Sequence, residues 1–421
     1  MSHRKYSIAM AFVLAGAALS AARADGKPFP PAPQWDKLGT VDIVPCPKWI
    51  EFSDTSLRLS EGALFHLSDA DGCLARGAEE IAAGIAELGG GSLRVNAVAD
   101  AAAAVAAVAG PAIIIGYGHD RLPLPDVEHT YGGISVWGEG QGYVVTTREL
   151  NGHGVVVIWG SDPRGALYGC ITLRHLLKHT TGGVGVTGVT IVDWPDFKQR
   201  VTSGFFGARD DTEGEIAKSI EVAQRFIRRA ALLKCNAISA ANHWTVRAKL
   251  DYLRECDLRL LERLIPYAKS YGVRFHIQHF TSVGTSARDK GDSRYADVPN
   301  LRGWYMSWSH QELIGLSMER FRNEARRIGA NTDWFFHYPD VHEGGWAQRS
   351  KACRERWGDD HAAADAHFGN ELYQTMREAS PTSRISLCCY PYGLDLELPG
   401  NVRTRQYFRK ISGLLPEDVL L

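Results

Sequence analysis

The pattern of apolar and polar positions changes character near residue 195. Beyond it, short apolar runs alternate with longer stretches whose apolar residues recur every three or four positions, which predicts strands alternating with helices. Strands are expected at Val201–Gly207, Asn236–Asn242, Val273–Phe280, Asp333–Val341 and Arg384–Tyr392, with a further start at Val419–Leu421. Helices are expected at Ile216–Leu233, Cys256–Tyr271, Gln311–Ile328, Ala362–Ala379 and Val402–Ile411, and a long polar loop at Thr281–His310. Thr212 and Glu215 form a capping box that opens the first helix, and Gly272 closes the second. Such alternation gives a parallel sheet with right-handed crossovers, either a barrel or a doubly wound sheet. Val273, Phe275 and Ile277 alternate with Arg274, His276 and Gln278. A strand with one polar face suits a barrel interior, whereas a central doubly wound strand is apolar on both faces.

The preceding segment mixes both periods. Strands are expected at Val41–Val44, Ala112–Ile115, Gly142–Thr147, Val155–Gly160 and Val189–Val192, and helices at Ala75–Leu88 and Arg164–His179. Asn151-Gly152 is a hairpin turn signal, and Trp194-Pro195-Asp196 breaks the pattern. The expected fold class is therefore α/β, with an N-terminal α+β domain over residues 40–195 and a (β/α) barrel over 196–421. Residues 25–39 are read as a linker.

The first 24 residues read as a signal peptide. His3, Arg4 and Lys5 precede an apolar stretch, Ile8–Ala21, and Ala22-Arg23-Ala24 is a cleavage signal before Asp25. The apolar stretch is too short to span a bilayer, and no later segment is long and apolar enough. The expected location is the periplasm or the medium. Formal charge is 47 − 48 = −1, with no basic block, so nucleic acid is not an expected partner. The 8 cysteines contain no C-x-x-C, and Cys170, Cys235 and Cys388 read as buried apolar residues.

Two motifs fail on context. Gly183-Val184-Gly185-Val186-Thr187-Gly188 fits G-x-G-x-x-G, but these glycines follow a helix and open a strand, the reverse of a dinucleotide site. His342-Glu343 begins an H-E-x-x-H zinc motif whose second histidine is replaced by Trp346. No cofactor or metal is expected.

In a barrel the catalytic groups lie at the C-terminal ends of the strands. Those ends carry Arg209 with Asp210 and Asp211, then Asn242 and His243, then His279, then Asp340, His342, Glu343 and Trp346, then Tyr390 and Tyr392. Folding does not call for imidazoles, carboxylates and phenols at these positions, although Asp211, Asp359 and Asp360 suit helix N-caps. Paired carboxylates beside Trp244, Trp304, Trp308 and Trp346 suggest chemistry on a sugar, since glycosidic cleavage needs a proton donor and a second group at the anomeric centre. The same tryptophans could equally pin long loops to the barrel. The expected partner is a carbohydrate substrate.

Three stretches carry a family resemblance. They are Tyr143-Val-Val-Thr, Gly160-Ser-Asp-Pro-Arg164-Gly-Ala-Leu-Tyr168-Gly169-Cys-Ile-Thr172-Leu, and Val189-Thr-Ile-Val-Asp193-Trp194-Pro195-Asp196-Phe197. They resemble the non-catalytic, zincin-like N-terminal domain of glycoside hydrolase family 20, which also precedes barrels in families 67 and 84. Gly204-Phe205-Phe206-Gly207 is similar to the first barrel strand of family 84 N-acetylglucosaminidases, and Ser350–Gly358 and Asn370–Gly393 are more loosely similar to the region after their catalytic loop. The resemblance implies a retaining β-N-acetylhexosaminidase assisted by the substrate's own 2-acetamido group. It makes Asp340 the residue that polarises that group and Glu343 the general acid. It makes Asn242, His279 and His342 hydroxyl-binding residues and puts Tyr392 near the acetamido pocket. Those families use adjacent carboxylates, whereas Val341 and His342 separate these two.

Val201–Leu421 holds five βα units and the start of a sixth strand, fewer than an eight-stranded barrel needs. The expectation is a barrel that is C-terminally truncated or open, and in the open form an oligomer is possible. A carbohydrate-binding protein without activity, or a glycosidase of another specificity such as an α-glucuronidase, are the rival readings. A metal hydrolase using Asp340, His342 and His279 has little support.

Overall fold

The computed structural model describes residues 43–122, 129–204, 207–241, 253–280, 309, 311–337, 351–358, 360–388 and 402–420. The N-terminal domain contains strands β1 (Trp49–Arg58), β2 (Ala63–Leu67), β3 (Arg94–Val98), β4 (Ala112–Tyr117), β5 (Thr130–Tyr131), β6 (Ile134–Ser135), β7 (Tyr143–Leu150), β8 (His153–Gly160), β9 (Lys178–Thr180) and β10 (Gly183–Asp193). Its helices are α1 (Cys73–Glu87), α2 (Ala101–Ala106) and α3 (Pro163–Leu176). Seven strands form a mixed sheet in the order β1-β10-β7-β8-β4-β2-β3, with β9 beside β10. Ile113, Ile114, Ile115 and Val155 to Ile158 are buried on both sides, as central strands require.

Several expectations change here. No strand begins in the described part of Val41–Val44; the first strand is β1, whose exposed polar side chains at an edge hide its period. The helix expected to reach His179 stops at Leu176, and Lys178–Thr180 pairs with β10 instead. The G-x-G-x-x-G stretch lies in strand β10 as the context argument required.

The Gly160–Gly165 stretch acquires a physical cause. Asp162 caps α3 by accepting from Gly165 N at 2.8 Å and also accepts from Gln141 N at 2.8 Å. Pro163 sits in the first helical turn, where its missing N–H costs nothing. A Cβ on Gly160 would lie 2.2 Å from Ala166 N, and one on Gly165 would lie 2.1 Å from Gly142 O. Strand, cap and helix approach too closely for any side chain.

The C-terminal domain contains β11 (Val201–Ser203), α4 (Glu213–Leu232), β12 (Ala237–Ala241), α5 (Glu255–Ser270), β13 (Arg274–Phe280), α6 (Gln311–Ile328), β14 (Thr332–His337), α7 (Lys351–Trp357), α8 (His361–Ala379), β15 (Arg384–Cys388), α9 (Val402–Ser412) and β16 (Val419–Leu420). All pairings are parallel and the spatial order is the chain order, β11 through β16. A doubly wound sheet reverses its order at a switch point. This one never does, so its helices lie on one side and the fold is of barrel type. It is incomplete: among the described residues β11 and β16 each pair on one side only.

The strand faces segregate as the alternation predicted. Ile238, Ala240, Phe275, Ile277, Trp334, Phe336, Ile385 and Leu387 are buried with apolar residues of α4, α5, α6, α8 and α9. Each large side chain contributes roughly 1.5–3 kcal/mol by leaving water. The opposite face carries Ser239, Arg274, His276, Gln278, Asp333, Phe335 and Ser386, by the two-residue alternation of a strand. The described cysteines Cys46, Cys73, Cys170, Cys235, Cys256 and Cys353 are free thiols.

Candidate active site

The polar face of β12–β15 is the inner face of the incomplete barrel. Nearest the N-terminal end of the strands, Arg274 Nε–H donates to Asp333 Oδ1 at 2.8 Å. The Asp333 carboxylate is thereby paired and buried. One step further along, the His276 ring lies 5.7 Å from the Phe335 ring. Burial pulls the His276 imidazole below its ordinary value, with Asp333 opposing that pull. Ser239 is the register partner of His276 on the adjacent strand.

Ser239 Oγ and His276 Nδ1 are both buried and have no hydrogen-bond partner. Buried polar atoms are nearly always satisfied, so two orphans on neighbouring strands of the inner face are a feature to explain. They leave a hydroxyl and an imidazole nitrogen without a protein partner. Strand alternation puts His276 on the polar face, but as a mid-strand residue it is not among the strand-end candidates.

His279 is placed differently from the expectation. It shares the face of Phe275 and Ile277, and its ring packs 5.4 Å from Phe321 and 5.9 Å from both Trp334 and Phe336. Its Nε2 lies 2.7 Å from Glu324 Oε2, and Glu324 Oε1 accepts from Leu253 N at 2.9 Å. Both side chains are buried, so His279 belongs to the sheet–helix layer and not to the inner face. The sequence hides this because Glu324 lies on α6, 45 residues away.

Arg209 lies on the turn after β11. Asp210 braces that turn by accepting from Thr212 N at 2.9 Å and from the Thr212 hydroxyl at 2.6 Å. Arg254 Nη2–H donates to Ala208 O at 2.6 Å. The Arg209 side chain is 85% exposed, and its Nε is 4.0 Å from Glu215. It is available to a ligand but not held in place for one. Asp340, Glu343, Asn242, His243, His342, Trp346, Tyr390 and Tyr392 lie outside the described residues. Along the chain, Asn242 follows β12, Asp340 comes three positions after β14 ends at His337, and Tyr390 comes two after β15 ends at Cys388. Among the described residues no three His, Cys, Asp or Glu side chains are grouped so as to hold a metal ion. No helix among them is long and apolar enough to cross a membrane.

Residues 40–194 match the model for domain 2 of glycosyl hydrolase family 20. The match lies within the N-terminal domain and covers less than half of the chain. No curated protein matches the chain. The two domains together resemble CpGH84B, with a TM-score of 0.55 and 16% identity over 90% of this chain and 55% of that one. The Flavobacterium johnsoniae chitobiase FjGH20 is similar with a TM-score of 0.52 and 13% identity, over 82% of this chain and 52% of that one. A family 20 exo-β-N-acetylglucosaminidase from Vibrio harveyi, solved with N-acetylglucosamine, gives 0.50 and 15%, over 82% and 54%. This chain thus spans 52–55% of the length of these solved relatives, and at such identity the likeness is one of fold.

Proposed function

We propose that the chain is a glycoside hydrolase of the β-N-acetylhexosaminidase kind, acting on a carbohydrate at the C-terminal ends of the barrel strands. The observation that carries this reading is the pairing of a family 20 domain with a parallel sheet in chain order, the arrangement shared with CpGH84B over 90% of this chain. Strand C-terminal ends are where barrels place their chemistry. There this sequence puts Asp340 and Glu343, with Asn242, His243, His342, Trp346, Tyr390 and Tyr392.

In the substrate-assisted route the sugar's acetamido oxygen attacks the anomeric carbon while an acid protonates the leaving oxygen. Asp340 would polarise the acetamido group and Glu343 would supply the proton. The test is release of nitrophenol from nitrophenyl N-acetyl-β-glucosaminide and from other aryl glycosides. Asp340→Asn and Glu343→Gln should each lower turnover about 100-fold or more, in the range that acid–base groups contribute. Turnover equal to wild type in Asp340→Asn would overturn the assignment. The two acids are separated by Val341 and His342, which favours glycan binding without hydrolysis as the second reading. Calorimetric binding of a chitin oligosaccharide with no hydrolysis would select that reading.

Export follows from the sequence of residues 1–24 alone. Its test is the N-terminal sequence of the protein recovered from a bacterial periplasm, expected to begin at Asp25; a mature chain starting at Met1 would refute it.

A further inference from the structure

Helix α4 buries Ile216, Ala223, Ile227, Ala230 and Ala231 against the sheet, and its Arg228 turns to Glu80 of the N-terminal domain. At about 100° per residue, Phe226 and Leu233 lie on the flank away from Arg228, about 10 Å apart along the helix. Leu233 caps the end of α4, close to the start of β11. One guanidinium joins the two: Arg200 Nη1–H donates to Phe197 O at 2.6 Å and Nε–H to Lys234 O at 2.7 Å. Phe197, Val201 at the head of β11 and Leu233 are therefore neighbours, and β11 pairs with β12 alone among the described residues. Phe197 is 73% exposed and Leu233 55%, and Val201 and Phe226 are exposed beside them. These are four of the nine large apolar side chains left exposed among the described residues, so the exposure is concentrated at one corner and not scattered.

The same corner carries positive charge. Lys198 follows Phe197, Arg225 precedes Phe226, and Arg229 lies one turn from both Phe226 and Leu233. All three cations are exposed. The ion pairs of α4 are made by Glu213, Glu215 and Arg228, and among the described residues Lys198, Arg225 and Arg229 make none. Glu221, one turn before Arg225, offsets one of these charges. Asp196, next to Phe197, is taken by Lys48. Each apolar anchor thus has a cation beside it, and the balance at this corner is positive although the chain as a whole is near neutral.

We propose that this corner of the barrel domain docks on an anionic lipid bilayer, with Phe197, Phe226 and Leu233 entering the boundary between headgroups and acyl chains and Lys198, Arg225 and Arg229 at the phosphates. Large apolar side chains flanked by Lys and Arg let a protein lie on a membrane without crossing it. These side chains stand out from a helix flank, a sheet edge and a chain turn. A fluid surface admits protruding rings without a matching cavity, whereas a folded protein partner needs one shaped to them. The charge selects the lipid, because anionic headgroups attract each cation held at the surface. The corner lies at the N-terminal end of β11, and the proposed active site lies at the C-terminal ends of the strands, so a bilayer bound here leaves that site open.

The test is flotation of the full chain with vesicles of phosphatidylcholine alone and of phosphatidylcholine with phosphatidylglycerol, at low and high salt. Association with the mixed vesicles is expected, and it should fall away at high salt as the charges are screened. Arg225→Gln with Arg229→Gln should weaken it about 25-fold, at about fivefold for each cation lost. Phe197→Ser with Leu233→Ser should weaken it about tenfold and leave the salt dependence in place. All four side chains are exposed, so both variants should melt with the wild type. No association with the mixed vesicles would overturn the proposal, as would equal association with phosphatidylcholine alone. Association unchanged in both variants would place the contact elsewhere and overturn the site. A dimer by light scattering that Phe197→Ser with Leu233→Ser dissolves would assign the corner to a second copy and overturn the lipid proposal. None of these outcomes depends on whether the chain hydrolyses glycosides.

Discussion

Removing Glu80 should both destabilise the protein and uncouple its domains. Glu80 lies on α1 of the N-terminal domain and is 4% exposed. Its carboxylate accepts from Arg228 Nε at 2.7 Å and Nη2 at 2.8 Å, on α4, and from the Tyr271 hydroxyl at 2.5 Å, after α5. Arg174 of α3 stands 3.8 Å away and adds a third group, from its own domain. Burial alone would raise this carboxyl, but the Arg228 and Tyr271 bonds outweigh it and hold it below its ordinary value. In Glu80→Gln the side-chain volume is kept while charge and one acceptor are lost. Breaking a buried pair by removing one partner costs roughly 3–5 kcal/mol. The Arg228 side chain is 37% exposed and can rehydrate, so about 2–3 kcal/mol is expected here. Urea unfolding followed by circular dichroism should show that loss, and scanning calorimetry should resolve two transitions where the wild type shows one. Because the folded value is depressed, this stability is present above pH 4.5 and is lost as pH falls through the folded value. A Glu80→Gln midpoint within error of wild type, with a single transition, would refute the account of this junction.

Gly160→Ala drives a Cβ into the backbone of Ala166, and about 2–3 kcal/mol of destabilisation should appear as a lowered melting temperature. Glu324→Leu leaves Leu253 N–H and His279 without an acceptor and should cost about 2–4 kcal/mol in urea titration, whatever its effect on activity. His276 is held below its ordinary value of 6.5 by burial, so the folded protein resists its protonation. Its contribution is therefore present above pH 6.5 and lost as pH falls below it, and His276→Gln should flatten the drop in urea midpoint between pH 7 and 5.

How legible this was from sequence depended on what each residue faces. The longer barrel helices read well because each has one apolar stripe against the sheet, with Ile216, Ala223 and Ile227 on α4 as an instance. Strand β13 read well because its apolar and polar faces differ. The edge strand β1 did not, since Glu51 to Ser56 are exposed and have no face to declare. The α7 helix over Lys351–Trp357 is two turns long and too short to establish a period. Partners far apart in sequence were illegible altogether, as for Glu324 with His279 and Glu80 with Arg228.

His276 and His279 show why strand position alone does not assign chemistry. They are three residues apart on β13, so they lie on opposite faces. His279 is nearer the C-terminal end, where barrels keep their catalysts. A strand end still has two faces, and only one looks inward. His279 is satisfied by Glu324 within an aromatic core, and a ligand could reach it only by displacing that packing. His276 is earlier along the strand but faces inward with an orphaned nitrogen beside the orphaned Ser239 hydroxyl. For a barrel strand, the face should therefore be settled before the depth. By that rule the inward positions Ser239, His276 and Gln278 precede His279 as candidates for contact with a substrate.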